Sequence, residues 1–365
     1  MKRILQYGMT TNYGGIEAFI MNIYRNIDRN KVQFDFIVNT NEKISYENEI
    51  ESLGGRIIRQ KYFSRKRYPF RHYVELYQYF KQNKDLVAVH INKANIRDID
   101  LLILAAIFKV PVRIIHSHTS NGNKMKFLEK LNKKIIKWTA THFFACSDEA
   151  GKYMFGDDYT VIKNGIDIEK YSFNKEIRKE IRCRYHIKDD DFIIGSIGRF
   201  SKEKNTLFIL EVFVEVHKNI SNSKLLLIGN GPLLEEIKIK IKNEKIEDSV
   251  IVLGEVDDVY RFYSAMDLFL LPSMYEGFGM VLLEAQVSGL KCLASKDRIP
   301  SLVNVTNRVE FILLEEGRKL WADKAIEYVK YERNSEIKSI VNAGFDSKDI
   351  ARKLKDVYLE GRAYG

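Results

Sequence analysis

The chain has 365 residues, of which 45% are hydrophobic and 30% are charged, and it contains only 5 prolines. This is the composition of a globular protein, and the length is sufficient for two domains with separate cores. The longest apolar runs, such as Leu101–Phe108, are far shorter than the roughly 20 residues that span a bilayer. The N-terminus lacks the pattern of a signal peptide, so we expect neither a membrane span nor a leader. The net charge of +10 favours anionic partners: nucleic acid, a membrane surface or a phosphorylated substrate.

The three cysteines, Cys146, Cys183 and Cys292, are scattered and form no Cys-x-x-Cys pair. Such a set is typical of reduced thiols in a cytosol and not of a disulfide frame or a zinc site. The sequence therefore predicts a cytoplasmic protein.

Strand and helix patterns alternate along the first half of the chain. A strand at KRILQYG precedes a helix over Gly14–Ile27, whose N-terminus lies in a glycine turn. Further strands are predicted at Phe34–Asn39, Leu86–Asn92, Val112–His118 and His142–Ser147. This alternation favours a parallel sheet with helices on both faces.

The same pattern begins again after a polar stretch at Asn174–Asp191, which is the expected join. The strands predicted there are Phe192–Phe200, Lys224–Pro232, Val250–Val256 and Asp267–Ser273, with a helix from Thr206 after the first. The two halves share an architecture but no sequence repeat. The fold class is therefore α/β with two similar domains, and the cleft between their carboxyl strand ends is the expected ligand site.

The stretch SMYEGFGMVLLEA, Ser273–Ala285, places Gly277 and Gly279 between Glu276 and Glu284. A glycine loop that opens a helix attracts phosphate, but two carboxylates would repel it. Carboxylates instead accept hydrogen bonds from sugar hydroxyls. The pattern therefore indicates a ligand with phosphates in the middle and hydroxyls at both ends, as in a nucleotide sugar.

The segment GRFSKEKN provides a second signal, because Arg199 and Lys204 follow a strand that ends at Gly198. Two cations at the carboxyl end of a strand suit a diphosphate. A solvated basic loop is the alternative for this segment alone, but together with the previous motif the diphosphate interpretation is favoured.

Several motifs occur in a fixed order: YGGIEAF, IHSHTS, ACSDEAG, VIKNGID, SIGRFSKEKN, LIGNGP and the Glu-x7-Glu pair of Glu276 and Glu284. On these motifs the chain resembles the retaining glycosyltransferases of family four, along nearly its whole length. The resemblance implies the GT-B fold, in which two Rossmann-like domains face each other across a deep cleft. The domains implied are an acceptor-side domain, 1–173, a nucleotide-sugar domain, 174–344, and a C-terminal helix, 345–365, that crosses back to the first domain.

The resemblance also implies roles for the charged residues. Arg199 and Lys204 would hold the donor diphosphate, with Gly198 beside them. Glu284 would bind the ribose hydroxyls, and Glu276 would bind hydroxyls of the transferred sugar.

Backbone and histidine roles are implied in the same way. Backbone N–H groups of Gly277, Phe278 and Gly279 would cradle the sugar and the distal phosphate, while Gly14 and Gly15 would leave room for the pyrophosphate. His118 would lie beside the sugar, with His116 as a weaker candidate. Gly254 and Val256 would read the base.

No metal cofactor is expected, since the protein cations would take its place. The acidic pairs Asp157-Asp158 and Asp257-Asp258 are interpreted as surface turns and not as a metal-binding DxD site. Retention of the anomeric configuration is implied, and we favour attack by the acceptor on the same face, through an ion-pair-like transition state.

Two basic segments are left over. Arg59–Tyr73 contains six Lys/Arg, no acid and several aromatic residues. Lys124–Trp138 has an apolar stripe of Met125, Leu128, Leu131, Ile135 and Trp138, with Lys126, Lys130, Lys133, Lys134 and Lys137 around it. The second segment is either a core-facing helix with a solvated back or, like the first, a docking surface for an anionic membrane. Membrane docking would place the protein on the inner face of the plasma membrane, with a lipid-linked saccharide as acceptor. Nucleic-acid binding would leave the Glu-x7-Glu motif unexplained.

The function predicted is transfer of a hexose or N-acetylhexosamine from a nucleoside-diphosphate sugar, with UDP favoured by family frequency, in capsular or exopolysaccharide synthesis. A nucleotide-sugar 2-epimerase of similar fold and a non-catalytic partner subunit are the alternatives. The subunit alternative is disfavoured because the charged residues of the motifs are all present. A closing helix is expected over Phe345–Gly361, with Ser347 as its N-cap.

Overall fold

The computed structural model describes residues 1–62, 67–118, 127–334 and 336–364. The chain forms two compact units, one of residues 1–165 and 344–365 and one of residues 166–343. Each unit is built on its own parallel sheet. The predicted pair of Rossmann-like domains is therefore confirmed.

The sheet of the first unit has the strand order β3-β2-β1-β4-β5-β6-β7. The strands are β1 Lys2–Tyr7, β2 Val32–Val38, β3 Arg56–Arg59, β4 Leu86–Lys93, β5 Val112–Ser117, β6 His142–Ala145 and β7 Thr160–Val161. The helices are α1 Gly15–Asn26, α2 Glu47–Ser52, α3 Pro69–Gln82, α4 Asp100–Ile107, α5 Phe127–Thr139, α6 Asp148–Met154 and, from the end of the chain, α15 Ser347–Glu360. Every residue of β2 is buried, as expected for a strand covered on both faces.

The C-terminal helix α15 belongs to the first unit and packs against α1. Its side chains Leu354 and Tyr358 lie in the same core as Phe34 of β2. The helix begins one residue earlier than the expected cap, Ser347, implies. Asp346 is the N-cap and accepts a hydrogen bond from the Lys348 backbone at 2.9 Å, whereas Ser347 is buried and its hydroxyl accepts from Asn26 Nδ2 at 3.2 Å.

The sheet of the second unit has the strand order β10-β9-β8-β11-β12-β13. The strands are β8 Phe192–Ile197, β9 Ser223–Ile228, β10 Val250–Leu253, β11 Leu268–Leu271, β12 Lys291–Ser295 and β13 Val309–Ile312. The helices are α7 Ile168–Tyr171, α8 Lys175–Arg184, α9 Thr206–Asn219, α10 Leu234–Asn243, α11 Tyr260–Ala265, α12 Met280–Val287, α13 Gly317–Glu327 and α14 Ile337–Asn342.

The first unit ends at residue 165 and not at the expected residue 173. The short helix α7 accounts for the difference, since it packs on α11, where the rings of Tyr171 and Tyr263 lie 5.8 Å apart. The polar stretch expected to be a join contains helix α8. Its Arg178 and Arg182 each donate to Asp267, at 2.7 Å, so the stretch is part of the second unit. Among the described residues, no helix is both long and apolar enough to cross a bilayer.

Candidate active site

Each sheet has one switch point, where successive strands of the chain begin to be added on the opposite side. It lies between β1 and β4 in the first unit and between β8 and β11 in the second. Ligands of open parallel sheets bind outside the carboxyl strand ends at such points. Several of the residues predicted to bind the donor, among them Arg199, Lys204 and Gly277, lie in the loops after β8 and β11, at the switch point of the second unit.

The loop after β8 carries the predicted cations. Gly198 has a φ of +156°, and a Cβ on Gly229 of the neighbouring loop would lie 2.0 Å from the Gly198 carbonyl oxygen. The two loops can approach this closely only because residue 229 is glycine. Gly198, Arg199 and Lys204 line a small pocket there together with Leu271, the last residue of β11. Arg199 is exposed and forms no ion pair with any residue of the described ranges.

Lys204 and Glu276 contact each other directly, since the Lys204 ammonium donates to Glu276 Oε1. The same carboxylate oxygen accepts from the hydroxyl of buried Ser273 at 2.9 Å, and the Glu276 backbone N–H donates to the Arg298 carbonyl at 3.0 Å. A cation predicted to bind phosphate and an acid predicted to bind sugar are therefore one hydrogen-bonded pair, which the sequence did not indicate.

Helix α12 begins at the glycine loop. Gly279 caps it in the left-handed region, with a φ of +85°, and no side chain caps its first N–H groups. Gly277 is exposed, and a Cβ there would meet no atom within 4 Å. Phe278 between them is half-buried. The loop therefore presents backbone N–H groups at a helix N-terminus, the arrangement that binds anions.

Glu284 lies one turn into α12 and is held by Tyr263, whose hydroxyl donates to Glu284 Oε2 at 2.6 Å. Burial raises the pKa of Glu284 to about 7, although the Tyr263 hydrogen bond and the Lys170 charge act in the opposite direction. Near neutral pH the Glu284 carboxyl is therefore a mixture of its protonated and ionised forms. Gly254 and Val256 follow β10, the edge strand, two strands from the switch point.

In the first unit, Gly14 is the N-cap of α1 and Gly15 is its first residue, and both are exposed. A Cβ on Gly14 would lie 2.7 Å from Glu17 Oε2, whereas one on Gly15 would meet no atom within 4 Å. Glu17 is buried in the first turn of α1 and accepts from the Thr10 hydroxyl at 2.5 Å. Sequence reasoning did not single out this glutamate.

His118 follows β5, and its Nε2 lies 3.0 Å from Asn92 Oδ1. The Asn92 amide donates to Gln6 Oε1 at 3.2 Å, which fixes its orientation and makes His118 Nε2 the donor. His118 Nδ1 then has a lone pair, and it is buried with no hydrogen-bond partner among the described residues. Burial lowers the pKa of His118 to about 3, so the ring is neutral near pH 7.

The hydrogen bonds continue from Gln6 in one direction. Gln6 Nε2 donates to the Tyr358 hydroxyl at 3.2 Å, this hydroxyl donates to His90 Nδ1 at 2.7 Å, and His90 Nε2 donates to His116 Nδ1 at 3.2 Å. The chain of five bonds fixes the tautomer of each ring. His116 is thus a fully buried member of the network and not a second surface candidate. In the sequence, the only signal of this network was the position of His90 and Asn92 on one face of β4.

No group of three or more His, Cys, Asp or Glu side chains in the described ranges is arranged to hold a metal ion. Asp157 and Asp158 are exposed in a loop, and Asp257 and Asp258 lie in a turn, where Asp258 pairs with Arg261.

The second basic segment lies on α5, whereas only residues 69–73 of the first lie on α3, and residues 63–66 and 124–126 are outside the described residues. Helices α3 and α5 both pack against α4. The buried side of α5 is formed by Glu129, Asn132 and Ile136. The interpretation that the apolar stripe of α5 faces the core is therefore wrong. Its exposed apolar residues, named here the α5 stripe, are Phe127, Leu128, Leu131 and Trp138. A corresponding α3 stripe consists of Phe70, Tyr73, Val74 and Tyr77.

Two parallel-sheet Rossmann-like units, with a cationic loop and a glycine-capped helix at a switch point, define the GT-B class of glycosyltransferases. Family models match almost the whole chain: "Glycosyltransferase Family 4" over residues 13–170 and "Glycosyl transferases group 1" over residues 177–357. The chain is also 31% identical to the putative glycosyltransferase EpsF of Bacillus subtilis, over 98% of this chain and 96% of that protein. The chain therefore belongs to the family that these two models describe and is a glycosyltransferase.

Other relatives cover similar lengths. A UDP-Gal:alpha-D-GlcNAc-diphosphoundecaprenol alpha-1,3-galactosyltransferase of Escherichia coli is 27% identical over 79% of this chain and 78% of its own length. The capsular polysaccharide glycosyltransferase CapH of Staphylococcus aureus is 27% identical over 98% of this chain and 99% of its own length. Among solved structures, Anabaena HepE in complex with UDP has a TM-score of 0.73 at 15% identity, covering 98% of this chain and 99% of that one.

Proposed function

We propose that the chain transfers a hexose or N-acetylhexosamine from a UDP-sugar to a saccharide acceptor during the synthesis of a capsular or extracellular polysaccharide. The observation that carries this proposal is the cluster of Arg199, Lys204 and Glu276 at the switch point of the second unit. Two relatives support the donor and the pathway by their names, since one uses UDP-Gal and one serves capsule synthesis. The fold neighbour HepE binds UDP and UDP-glucose.

In this proposal, donor binding breaks the hydrogen bond between Lys204 and Glu276, and each of the two side chains then binds a different part of the donor. The diphosphate takes the ammonium of Lys204 and the guanidinium of Arg199, and hydroxyls of the transferred sugar take the carboxylate of Glu276. Negative charge grows on the diphosphate as the glycosyl bond breaks, so cations fixed beside it stabilise the transition state more than the ground state. No metal ion is required for this step.

Retention of configuration is part of the proposal, with acceptor attack on the face that the diphosphate leaves. A double displacement would need a carboxylate free to attack the sugar. Glu276 accepts a bond from Ser273 and, in the proposed complex, also accepts from sugar hydroxyls, which favours hydroxyl binding over nucleophilic attack. A sugar trapped covalently on Glu276 would contradict this mechanism.

We further propose that the acceptor is lipid-linked and that the first unit docks on an anionic membrane. The α3 and α5 stripes support this, because four apolar side chains on each helix are at least 45% exposed. The lysines Lys130, Lys134 and Lys137 are exposed beside the α5 stripe. Apolar insertion combined with cations, each worth about 1 kcal/mol near an anionic surface, is the usual basis of such docking. The Escherichia coli relative acts on a diphosphoundecaprenol-linked sugar.

A thermal-shift panel of UDP-, GDP- and dTDP-sugars, followed by turnover with the best binder, tests the donor. A ligand at about 100 times its Kd stabilises the protein by about 2.7 kcal/mol, and we expect UDP-sugars to give the largest shift. Products are then analysed with and without a saccharide acceptor. Sugar release or isomerisation without acceptor, at the rate of transfer, would favour the epimerase alternative and contradict the proposal.

A further inference from the structure

The Glu284 carboxylate is held by a tyrosine from the neighbouring helix. The Tyr263 hydroxyl donates to Glu284 Oε2 at 2.6 Å, and Tyr263 is fully buried, whereas Glu284 is only partly buried. The bond engages one of the two carboxylate oxygens, so the other oxygen can accept from the hydroxyls of a ligand. A side chain that is ordered before binding loses less conformational entropy when the ligand arrives. The Tyr263 bond therefore prepares Glu284 for its predicted role at the ribose.

The Tyr263 ring is itself fixed by aromatic side chains of two other elements. Its centroid lies 5.8 Å from that of Tyr171 on α7 and 5.7 Å from that of Phe269 on β11. Aromatic rings at these separations pack against each other, and close packing restricts the rotamers of each ring. Because β11 leads into the glycine loop, the core holds Tyr263 at a fixed position relative to that loop.

Arg333 joins the helix that carries Tyr263 to the helix that carries Glu284. Its Nη1 donates to the Tyr263 carbonyl at 3.1 Å and to the Ser288 carbonyl at 3.3 Å. These two carbonyls lie at the carboxyl ends of α11 and α12, where backbone acceptors lack helical partners and a cation is favoured. The guanidinium also lies over the Phe173 ring, 4.7 Å from its centroid. Arg333 therefore fixes the spacing between the two partners of the tyrosine–glutamate bond.

The titratable groups near Glu284 come from three elements. Tyr263 reaches it from α11, Lys170 and Tyr171 lie on α7, and Cys292 of β12 lies near Tyr263, while the residues of β11 and of the 3-10 turn after β12 include no titratable side chain. Burial raises the pKa of Glu284 to about 7, and the Tyr263 hydrogen bond and the Lys170 charge lower it. Removal of the Tyr263 hydroxyl should therefore raise the pKa of Glu284 further, because the hydroxyl stabilises the ionised form.

We propose that Tyr263 is a positioning residue of the donor site, which orients the Glu284 carboxylate toward the two ribose hydroxyls of the nucleotide, with Arg333 fixing the two helices. The inference rests on the proposed function, because it requires a nucleotide donor in the second unit. A carboxylate oriented in this way favours a ligand with two neighbouring hydroxyl donors over the same nucleotide without them. Tyr263 should accordingly control the preference for the ribonucleotide and not the affinity for its diphosphate.

The test is isothermal titration calorimetry of the full chain with UDP and with 2′,3′-dideoxy-UDP, which has the same base and diphosphate but no ribose hydroxyls. We expect the wild type to bind UDP about tenfold or more tightly than the dideoxy compound, as hydrogen bonds to a charged group are lost. Tyr263→Phe should raise the Kd of UDP about fivefold and leave that of the dideoxy compound within about twofold. The control Tyr328→Phe removes a bond of the same length, 2.6 Å, to Glu310 in the same unit and should change neither Kd.

The ratio of the two Kd values, measured from about pH 6 to about pH 9, gives a readout that a loss of stability would not move. Titration of the diphosphate cancels in this ratio, so the ratio follows the Glu284 carboxyl. In the wild type the preference for UDP should increase with a midpoint near the Glu284 pKa of about 7. Tyr263→Phe should move this midpoint to higher pH.

If Tyr263→Phe fails to fold, Arg333→Lys decides the outcome. This variant retains a cation at the helix ends but loses the guanidinium that bridges the two carbonyls, so the preference for UDP should fall about threefold. Equal losses of affinity for both ligands, or an unchanged Kd ratio in the variants that fold, would overturn the role of Tyr263. A wild type that binds neither nucleotide would contradict the proposed function itself, and the inference with it.

Discussion

In the second unit, the switch point between β8 and β11 presents Arg199 and the paired Lys204 and Glu276. In the first unit, a network of buried amides and histidines lies beside the switch point between β1 and β4, and burial lowers the pKa values of His90 and His118 to about 3. The two sheets have the same order of parallel strands about their switch points. We name the side chains at the second switch point the ionic edge and the uncharged amide and histidine network beside the first the neutral edge. The two sheets therefore share an architecture, while a few side chains at the strand ends decide the charge that each switch point presents.

The largest effect is expected from the ionic edge. Lys204→Ala should lower kcat about 10²–10³-fold, or roughly 3–4 kcal/mol, because one fixed cation is lost where negative charge develops. Steady-state release of UDP measures this change. Lys202→Ala removes an exposed lysine from the same loop and serves as the control. If Lys204→Ala changes kcat by less than fivefold, the cationic edge does not stabilise the leaving group.

The next largest effect is expected at the proposed membrane surface of the first unit. Lys134→Glu combined with Lys137→Glu should reduce partition onto vesicles with anionic lipid by about 30-fold or more, since each nearby cation contributes about 1 kcal/mol. Vesicle co-sedimentation at low salt is the measurement. The matched control reverses Lys238 and Lys242, two charges of α10 in the second unit, and should leave partition unchanged. Equal losses in both pairs would mean that net charge alone, and not the first unit, drives binding.

At the ionic edge, Glu284→Gln should change the affinity for the donor and the folding stability in opposite directions. We expect an increase of about tenfold in the Kd of the UDP-sugar, because one charged hydrogen-bond acceptor is lost. The folded-state pKa of Glu284, about 7, is above its ordinary value of 4.5. Its contribution to folding stability is therefore complete below about pH 4.5 and is lost as the pH rises through 7.

The variant should accordingly be more stable than the wild type at pH 8 without ligand, while the two proteins converge at pH 5. Thermal melting at both pH values tests this, with Glu310→Gln as a control carboxylate in the same unit. A variant that melts lower than the wild type at pH 8 would contradict the assignment.

The smallest effect is expected in the neutral edge of the first unit. Tyr358→Phe removes the hydroxyl that joins Gln6 to His90, so the order of the hydrogen-bond chain toward His118 is lost. We expect kcat to fall about fivefold with little change in the KM of the donor, and stability to fall by about 1–2 kcal/mol. The pH dependence of kcat distinguishes a role of Tyr358 in positioning His118 from a merely structural role. If the variant loses stability but keeps the wild-type kcat, the chain does not orient His118.

The predictable parts of the molecule were those with a local pattern. Strand ends with Gly198 and Arg199, and a glycine loop that opens α12, are short segments whose chemistry depends on neighbouring positions. The Lys204–Glu276 bond joins residues 72 positions apart, and the Gln6–Tyr358 bond joins residues 352 apart. No periodicity encodes such pairs, so they emerged only from the tertiary structure.

Helix α5 shows a second limit of sequence patterns. Its apolar stripe predicted a buried face as readily as a membrane face, because periodicity identifies a stripe but not what covers it. In the structure the buried face combines Ile136 with two polar residues, Glu129 and Asn132. Glu129 accepts from Arg97 Nε at 3.1 Å, and the Asn132 amide donates to the Ile96 carbonyl at 2.7 Å. These partners satisfy the polar groups, which allows the apolar residues to remain outside.

A crystal structure of the chain with bound UDP-glucose would test the central claim most directly. We expect the diphosphate within hydrogen-bonding distance of Arg199 and Lys204, with the Lys204–Glu276 bond replaced by contacts to the ligand. Glu276 should accept from glucose hydroxyls, and Glu284 should accept from the ribose. Nucleotide bound elsewhere, with Lys204 still paired to Glu276 and Arg199 in solvent, would contradict the account.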